Sequence, residues 1–175
     1  MDKFIQDVSG WSDFYVMIGG AAAVLTGLLF VSLSLNADII TRKTNVDLRI
    51  LAAQTFTSFI SVLMFAVLFL IPAQGPIGLG VPMLGIDMVI LYVTFRRFLQ
   101  IRHGRPRTWG RSKPILRLAV PAICFITVLI IAITVLLGFT GGLYWFVPVV
   151  IILIWDASIN AWDLLLKLRE SNDVS

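Results

Sequence analysis

The sequence predicts an all-α fold, an integral membrane helical bundle of five transmembrane helices with the N-terminus outside and the C-terminus cytoplasmic. Three observations carry this. Of 175 residues, 58% are hydrophobic and 14% are charged, whereas soluble domains run near a quarter charged, so lipid is the solvent this composition suits. Five apolar stretches reach bilayer length, which is about 20 residues at ~1.5 Å rise. The Lys and Arg residues gather in alternate connections between those stretches.

The stretches are 14–35, 50–71, 77–95, 115–139 and 143–166, and the whole chain, 1–175, reads as a single transmembrane domain. The first two carry no charged residue. The third carries Asp87, the fourth Arg117 near its start, and the fifth Asp156 and Asp163. An unbroken apolar run in lipid must satisfy its backbone internally, which makes it a helix. Barrel strands would be shorter and would alternate in polarity, and nothing in this sequence does. The first stretch does not read as a cleaved signal. Lys3 is outnumbered by Asp2, Asp7 and Asp13, and the Ala21-Ala22-Ala23 run lies within the apolar segment, not after it.

Orientation follows from the basic residues of each connection. Arg42, Lys43 and Arg49 precede the second span. Arg96, Arg97, Arg102, Arg105, Arg107, Arg111 and Lys113 lie between the third and fourth, and Lys167 and Arg169 follow the fifth. These twelve residues fall on one side and Lys3 alone on the other, with Arg117 inside a span. The basic side is expected in the cytoplasm.

The two outer connections, 72–76 and 140–142, are short and rich in Pro and Gly, so spans two and three form one antiparallel hairpin and spans four and five another. Each hairpin has a proline in its descending helix, Pro82 or Pro148, and a carboxylate near mid-depth, Asp87 or Asp156. A duplicated two-helix unit would give this pattern, and so would independent Gly-Pro turns.

Span one contains GGAAAVLTGLLFVSLSLN over 19–36, with Gly19, Ala23 and Gly27 four apart. Small residues let helix backbones approach in a membrane, where no hydrophobic force drives helices together. The contact is either with another helix of the chain or between subunits. This segment resembles the first span of uncharacterised small bacterial multi-pass membrane proteins. The resemblance implies a bacterial origin and carries no function with it, and a multi-pass protein of the bacterial inner membrane is expected.

Asp87 lies ~15 Å and Asp156 ~20 Å below the outer starts of their helices at helical rise, near the middle of a ~30 Å hydrocarbon core. A carboxylate there must face protein or water, or carry a proton. No basic residue of the spans sits at that depth. Two readings stay open: a proton or cation site, or a neutral acid bonded to a neighbouring hydroxyl or carbonyl. Asp156, Asn160 and Asp163 form a stripe along span five, and Gln54, Thr57 or Ser58, and Ser61 form another in the same half of span two. Together they suggest a polar interior or vestibule. Arg117 and Asp163 lie at similar depths, where a salt bridge between them or snorkelling of Arg117 to the headgroups would serve.

The basic stretch 96–114 sets topology, and Arg96, Arg97, Arg102, Arg105, Arg107, Arg111 and Lys113 would also meet anionic lipid headgroups at ~1 kcal/mol each. It is too short to read nucleic acid, and His103 reads as a solvated loop residue. Phe4, Ile5, Val8 and Trp11, at helical spacing, suit a segment lying flat on the outer surface. Trp109, Trp145 and Trp162 read as interfacial anchors. Cys124 and His103 are single representatives of their kind, which argues against a disulfide, a zinc site or haem. No phosphate-binding loop, HExxH or GxSxG occurs, so no cofactor and no enzymatic activity is expected. The expected function is a small homo-oligomeric channel or transporter for a cation or proton, using Asp87 and Asp156, with Gln54, Ser58, Ser61, Asn160 and Asp163 lining its vestibule. The alternative is a structural or regulatory scaffold without transport.

Overall fold

The computed structural model describes residues 2–41, 46–103 and 113–173. Among these are seven α-helical segments and no strand: α1 (Asp2–Ser9), α2 (Ser12–Leu35), α3 (Ala37–Thr41), α4 (Val46–Phe69), α5 (Pro76–His103), α6 (Lys113–Leu136) and α7 (Leu143–Asp173). Five of them, α2, α4, α5, α6 and α7, are long and apolar enough to cross a membrane. Their boundaries depart from the sequence reading mainly at one end. α5 runs on through His103 and α7 to Asp173, well past the apolar limits at 95 and 166. Leaving the apolar phase removes no helical hydrogen bond, so a polar continuation stays helical. Arg96, Arg97, Arg102 and His103 therefore stand on α5 and not in a loop.

α4, α5, α6 and α7 close a ring in which α5 packs chiefly on α6 and α4 on α7, while the diagonal pairs barely touch. α2 lies along the outside of α4. That extra layer explains why α4 is the most buried of the five. The α6–α7 turn is closed by Gly138, whose φ of +83° is left-handed. Its amide donates to the Val135 carbonyl at 2.9 Å and the Phe139 amide to that of Thr134 at 3.0 Å, the paired bonds of a glycine-terminated helix end.

The ring has an internal repeat. The order of buried, half-buried and exposed residues over 79–97 of α5 recurs position for position over 149–167 of α7. Each helix thus turns an equivalent stripe inward. The repeat places Asp87 opposite Ala157 and Asp156 opposite Ile86. The two carboxylates that looked equivalent in sequence are one residue, about 100° of helical rotation, out of step.

Two apolar clusters fill the interior. Near α1, the Tyr15 and Phe69 rings stack 4.4 Å apart, with Phe146 5.1 Å from Phe69 and 5.9 Å from Phe65. Such aromatic pairs add about 0.5–1.5 kcal/mol to their burial. Phe4 and Val8 of α1 are buried in the same cluster, so the apolar face of its amphipathic spacing is turned onto the bundle, which α1 caps. Thr140 Oγ1 donates to Asp7 Oδ2 at 2.8 Å and the Trp11 ring meets Tyr144 edge-on at 5.0 Å, tying that cap to the α6–α7 turn. At the opposite, basic end, Leu29, Leu51, Ala52, Phe59, Ala157, Leu164 and Leu168 form the second cluster.

Candidate functional site: a polar track between helices four and five

The inward stripe of α5 is Leu79, Met83, Asp87, Ile90 and Thr94, all buried. Spacings of four and three residues keep one helix face toward the ring. Asp87 thus occupies a position where its neighbours place core hydrophobics. Its exposure is 0%, and among the described residues neither carboxylate oxygen has a hydrogen-bond partner. Buried polar groups are bonded in the great majority of cases, so an orphaned carboxylate requires an explanation.

Arg97 lies ten residues further along α5. Its Nη1 donates to Gln54 Oε1 at 3.0 Å and to Thr57 Oγ1 at 2.9 Å, both on α4. Grouping Arg97 with the headgroup-facing residues of 96–114 follows from reading that stretch as a loop. On a continued helix Arg97 is three residues past Thr94, near the inward stripe, and its long side chain turns toward α4. Arg96, one position earlier, is exposed, and its guanidinium carbon stands 6.0 Å from the Tyr92 ring centroid, within cation–π range.

Gln54, Ser58 and Ser61 are buried together along α4. Ser61 Oγ donates to the Ser58 carbonyl at 2.8 Å, a local bond within the helix. Gln54 Nε2 and Ser58 Oγ have no partner among the described residues, and neither does Thr94 Oγ1. Thr94, on the inward stripe of α5 and lining a pocket between α5 and α6 with Leu118 and Ala122, is absent from the sequence reading. A lone threonine in an apolar run gives no signal there, although its spacing of seven from Asp87 would have suggested it.

The stripe on α7 behaves differently. Asn160 is buried, while Asp156 and Asp163 are half-buried beside the inward face. Asn160 Nδ2 donates to Asp156 Oδ2 at 3.0 Å, and Asp156 lies within electrostatic reach of the buried Cys124 thiol. Asp156 and Asp163 both make further interactions. Asp87 and Asp156 share no hydrogen bond. The Arg117 side chain lies outside the described part of the molecule, and so does its expected pairing with Asp163. Arg105, Arg107 and Arg111 lie outside the described residues, as do the side chains of Arg102 and Lys113.

The small residues of α2 are divided between two faces. Gly19 is buried against α4, while Ala23 and Gly27 are exposed. Steps of four residues drift by 40° of rotation each, so Gly19 and Gly27 stand about 80° apart. Among the described residues no group of three or more His, Cys, Asp or Glu side chains is placed to hold a metal ion. Chemically, the track offers one isolated carboxylate at mid-helix and one guanidinium held by neutral groups at the basic end. The chain matches no family model, no curated protein and no solved structure in the comparisons made.

Proposed function

We propose that the chain is the protomer of a small channel or transporter of the cell membrane that moves protons through its helical ring, with Asp87 as the group that takes up and releases them. The basic end faces the cytoplasm, as the twelve-to-one division of Lys and Arg implies. The amino terminus and its α1 cap face outside. A bacterial inner membrane suits the resemblance of the first span.

The observation that carries this reading is Asp87, wholly buried with both oxygens unpartnered among the described residues. An ionisable group at such a depth is costly and marks a proton or ion route more often than a packing role. A proton fits better than a metal ion. Hard cations require several oxygen ligands around one centre, and among the described residues no group of three or more His, Cys, Asp or Glu side chains is placed to hold one. Gln54, Ser58 and Ser61 supply polar atoms on the basic side of the same track. Asp156, on α7 and already engaged by Asn160, serves as a secondary group. Homo-oligomers would form through the exposed face of α2, where Gly20 and Gly27 have open space at the Cβ position.

The rival reading is a structural or regulatory scaffold. It draws on Met83 and Ile90, one turn to either side of Asp87 and both buried in the core. Reconstituted vesicles with an internal pH dye separate the two. Wild-type protein should dissipate an imposed pH gradient, and Asp87→Asn should abolish that flux while remaining folded, because an amide cannot release a proton. Asp156→Asn should retain part of it. Full flux in Asp87→Asn overturns the site. No wild-type flux of protons or of several cations favours the scaffold.

A further inference from the structure

We infer that the α4–α5 junction around Arg97 and Gln54, at the basic end, is a binding site for a phosphate-type oxyanion, with Arg97 as its charge and Gln54 as its neutral donor. Both groups that touch the Arg97 guanidinium, Gln54 Oε1 at 3.0 Å and Thr57 Oγ1 at 2.9 Å, are uncharged, and both accept from the same nitrogen, Nη1. Among the described residues no carboxylate meets it. Arginine presents five N–H donors in a planar fork that matches carboxylate and phosphate oxygens, and most of this fork is left over. Half-burying a cation with only dipoles for company is unfavourable unless an anion completes the site.

Gln54 supplies the second, independent observation. It is 98% buried, with 2% exposure, and its amide nitrogen has no partner among the described residues. The orientation of that amide is fixed by chemistry, since Arg97 can only donate and therefore selects the oxygen. Nε2 is bonded to the same carbon as Oε1, so it is held beside the guanidinium. Two sets of donors thus stand side by side with no acceptor between them, which is the arrangement an oxyanion bridges. One turn along α4, the Ser58 hydroxyl is buried and also unpartnered.

Depth suits the same ligand chemistry. Arg97 is 21 residues past Pro76, ~31 Å along α5 at helical rise, at the inner edge of a ~30 Å hydrocarbon core. The phosphodiester of an anionic lipid headgroup and a soluble phosphate entering from the cytoplasm both reach that level. The site does not rest on the proton reading, because Asp87 lies ten residues away along α5 and Asp87→Asn should leave anion binding unchanged.

The test has two arms. In the first, protein in phosphatidylcholine nanodiscs is titrated with inorganic phosphate and the thermal midpoint is followed. In the second, native mass spectrometry compares retention of phosphatidylglycerol and phosphatidylcholine from mixed micelles. Saturable binding is expected in one arm and identifies the source of the anion. Arg97→Gln should weaken it about tenfold, which is ~1.4 kcal/mol, while Arg96→Gln on the exposed neighbour changes it little. Should Arg97→Gln fail to fold, Gln54→Met removes the neutral donor and should weaken binding severalfold. No saturable binding in either arm overturns the site. So does an equal loss in Arg96→Gln and Arg97→Gln, or undiminished binding in Gln54→Met.

Discussion

A Cβ built on Gly19 would stand 2.9 Å from the Cβ of Ala66, so α2 and α4 meet here with only the Ala66 methyl between their backbones. Ala66 has 0% exposure and cannot yield toward solvent. In a bilayer, such close approach is the main source of helix–helix attraction.

Gly19→Leu should therefore lift α2 from α4 and lower stability by ~1–3 kcal/mol, the usual cost of forcing bulk into a packed contact. Gly27→Leu should change stability by less than about 0.5 kcal/mol, since nothing lies within 4 Å of a Cβ there. Unfolding of the two variants in mixed micelles checks this. Equal destabilisation would show that the protomer also packs through Gly27. A loss of oligomers confined to Gly27→Leu would place the subunit contact on the outer face of α2.

The second close approach lies within the ring. A Cβ on Gly80 would meet Leu136 Cγ at 2.5 Å and the Leu136 backbone nitrogen at 3.2 Å. Gly80→Ala should destabilise the α5–α6 pair by ~1–3 kcal/mol. Leu136→Ala in the same chain should recover part of that loss, because the clash is mostly with the Leu136 side chain. A double-mutant cycle measures the coupling. Strict additivity of the two changes would mean that the helices separate at this level.

Topology is open to chemical labelling. On a Cys124→Ala background, Gly141→Cys and Pro72→Cys should react with an impermeant thiol reagent applied outside intact cells. Gly141 has open space for the new side chain and Pro72 is exposed. Ser112→Cys, between the arginines of 104–112 and Lys113, should react only after permeabilisation if the basic end faces the cytoplasm, as the division of Lys and Arg implies. The reverse pattern would invert the orientation and place the Arg97 site outside.

Hydropathy and the distribution of Lys and Arg already define five helices, two tight hairpins and one basic end, because each depends on the solvent of a local segment and on nothing distant. The same local character explains what the sequence obscures. The ends of α5 and α7 are invisible to hydropathy, since a helix leaving lipid keeps its hydrogen bonds while its side chains turn polar. Arg97 consequently reads as part of a loop when it belongs to the track. Gly19, Ala23 and Gly27 read as one stripe because spacing by four approximates a turn, and only the position of α4 shows which of them is used.

Tertiary structure alone decides the fate of the carboxylates. Asp87 and Asp156 have similar depths and similar apolar surroundings in the sequence. One step of helical rotation separates them in the folded ring, so Asp87 falls on the inward face and Asp156 beside it, within reach of Asn160. Composition determines that a charged group in such a helix must be accommodated, because lipid solvates it poorly. The direction in which that group points depends on helix phase within the bundle, which the packing of four helices fixes together and no single segment encodes.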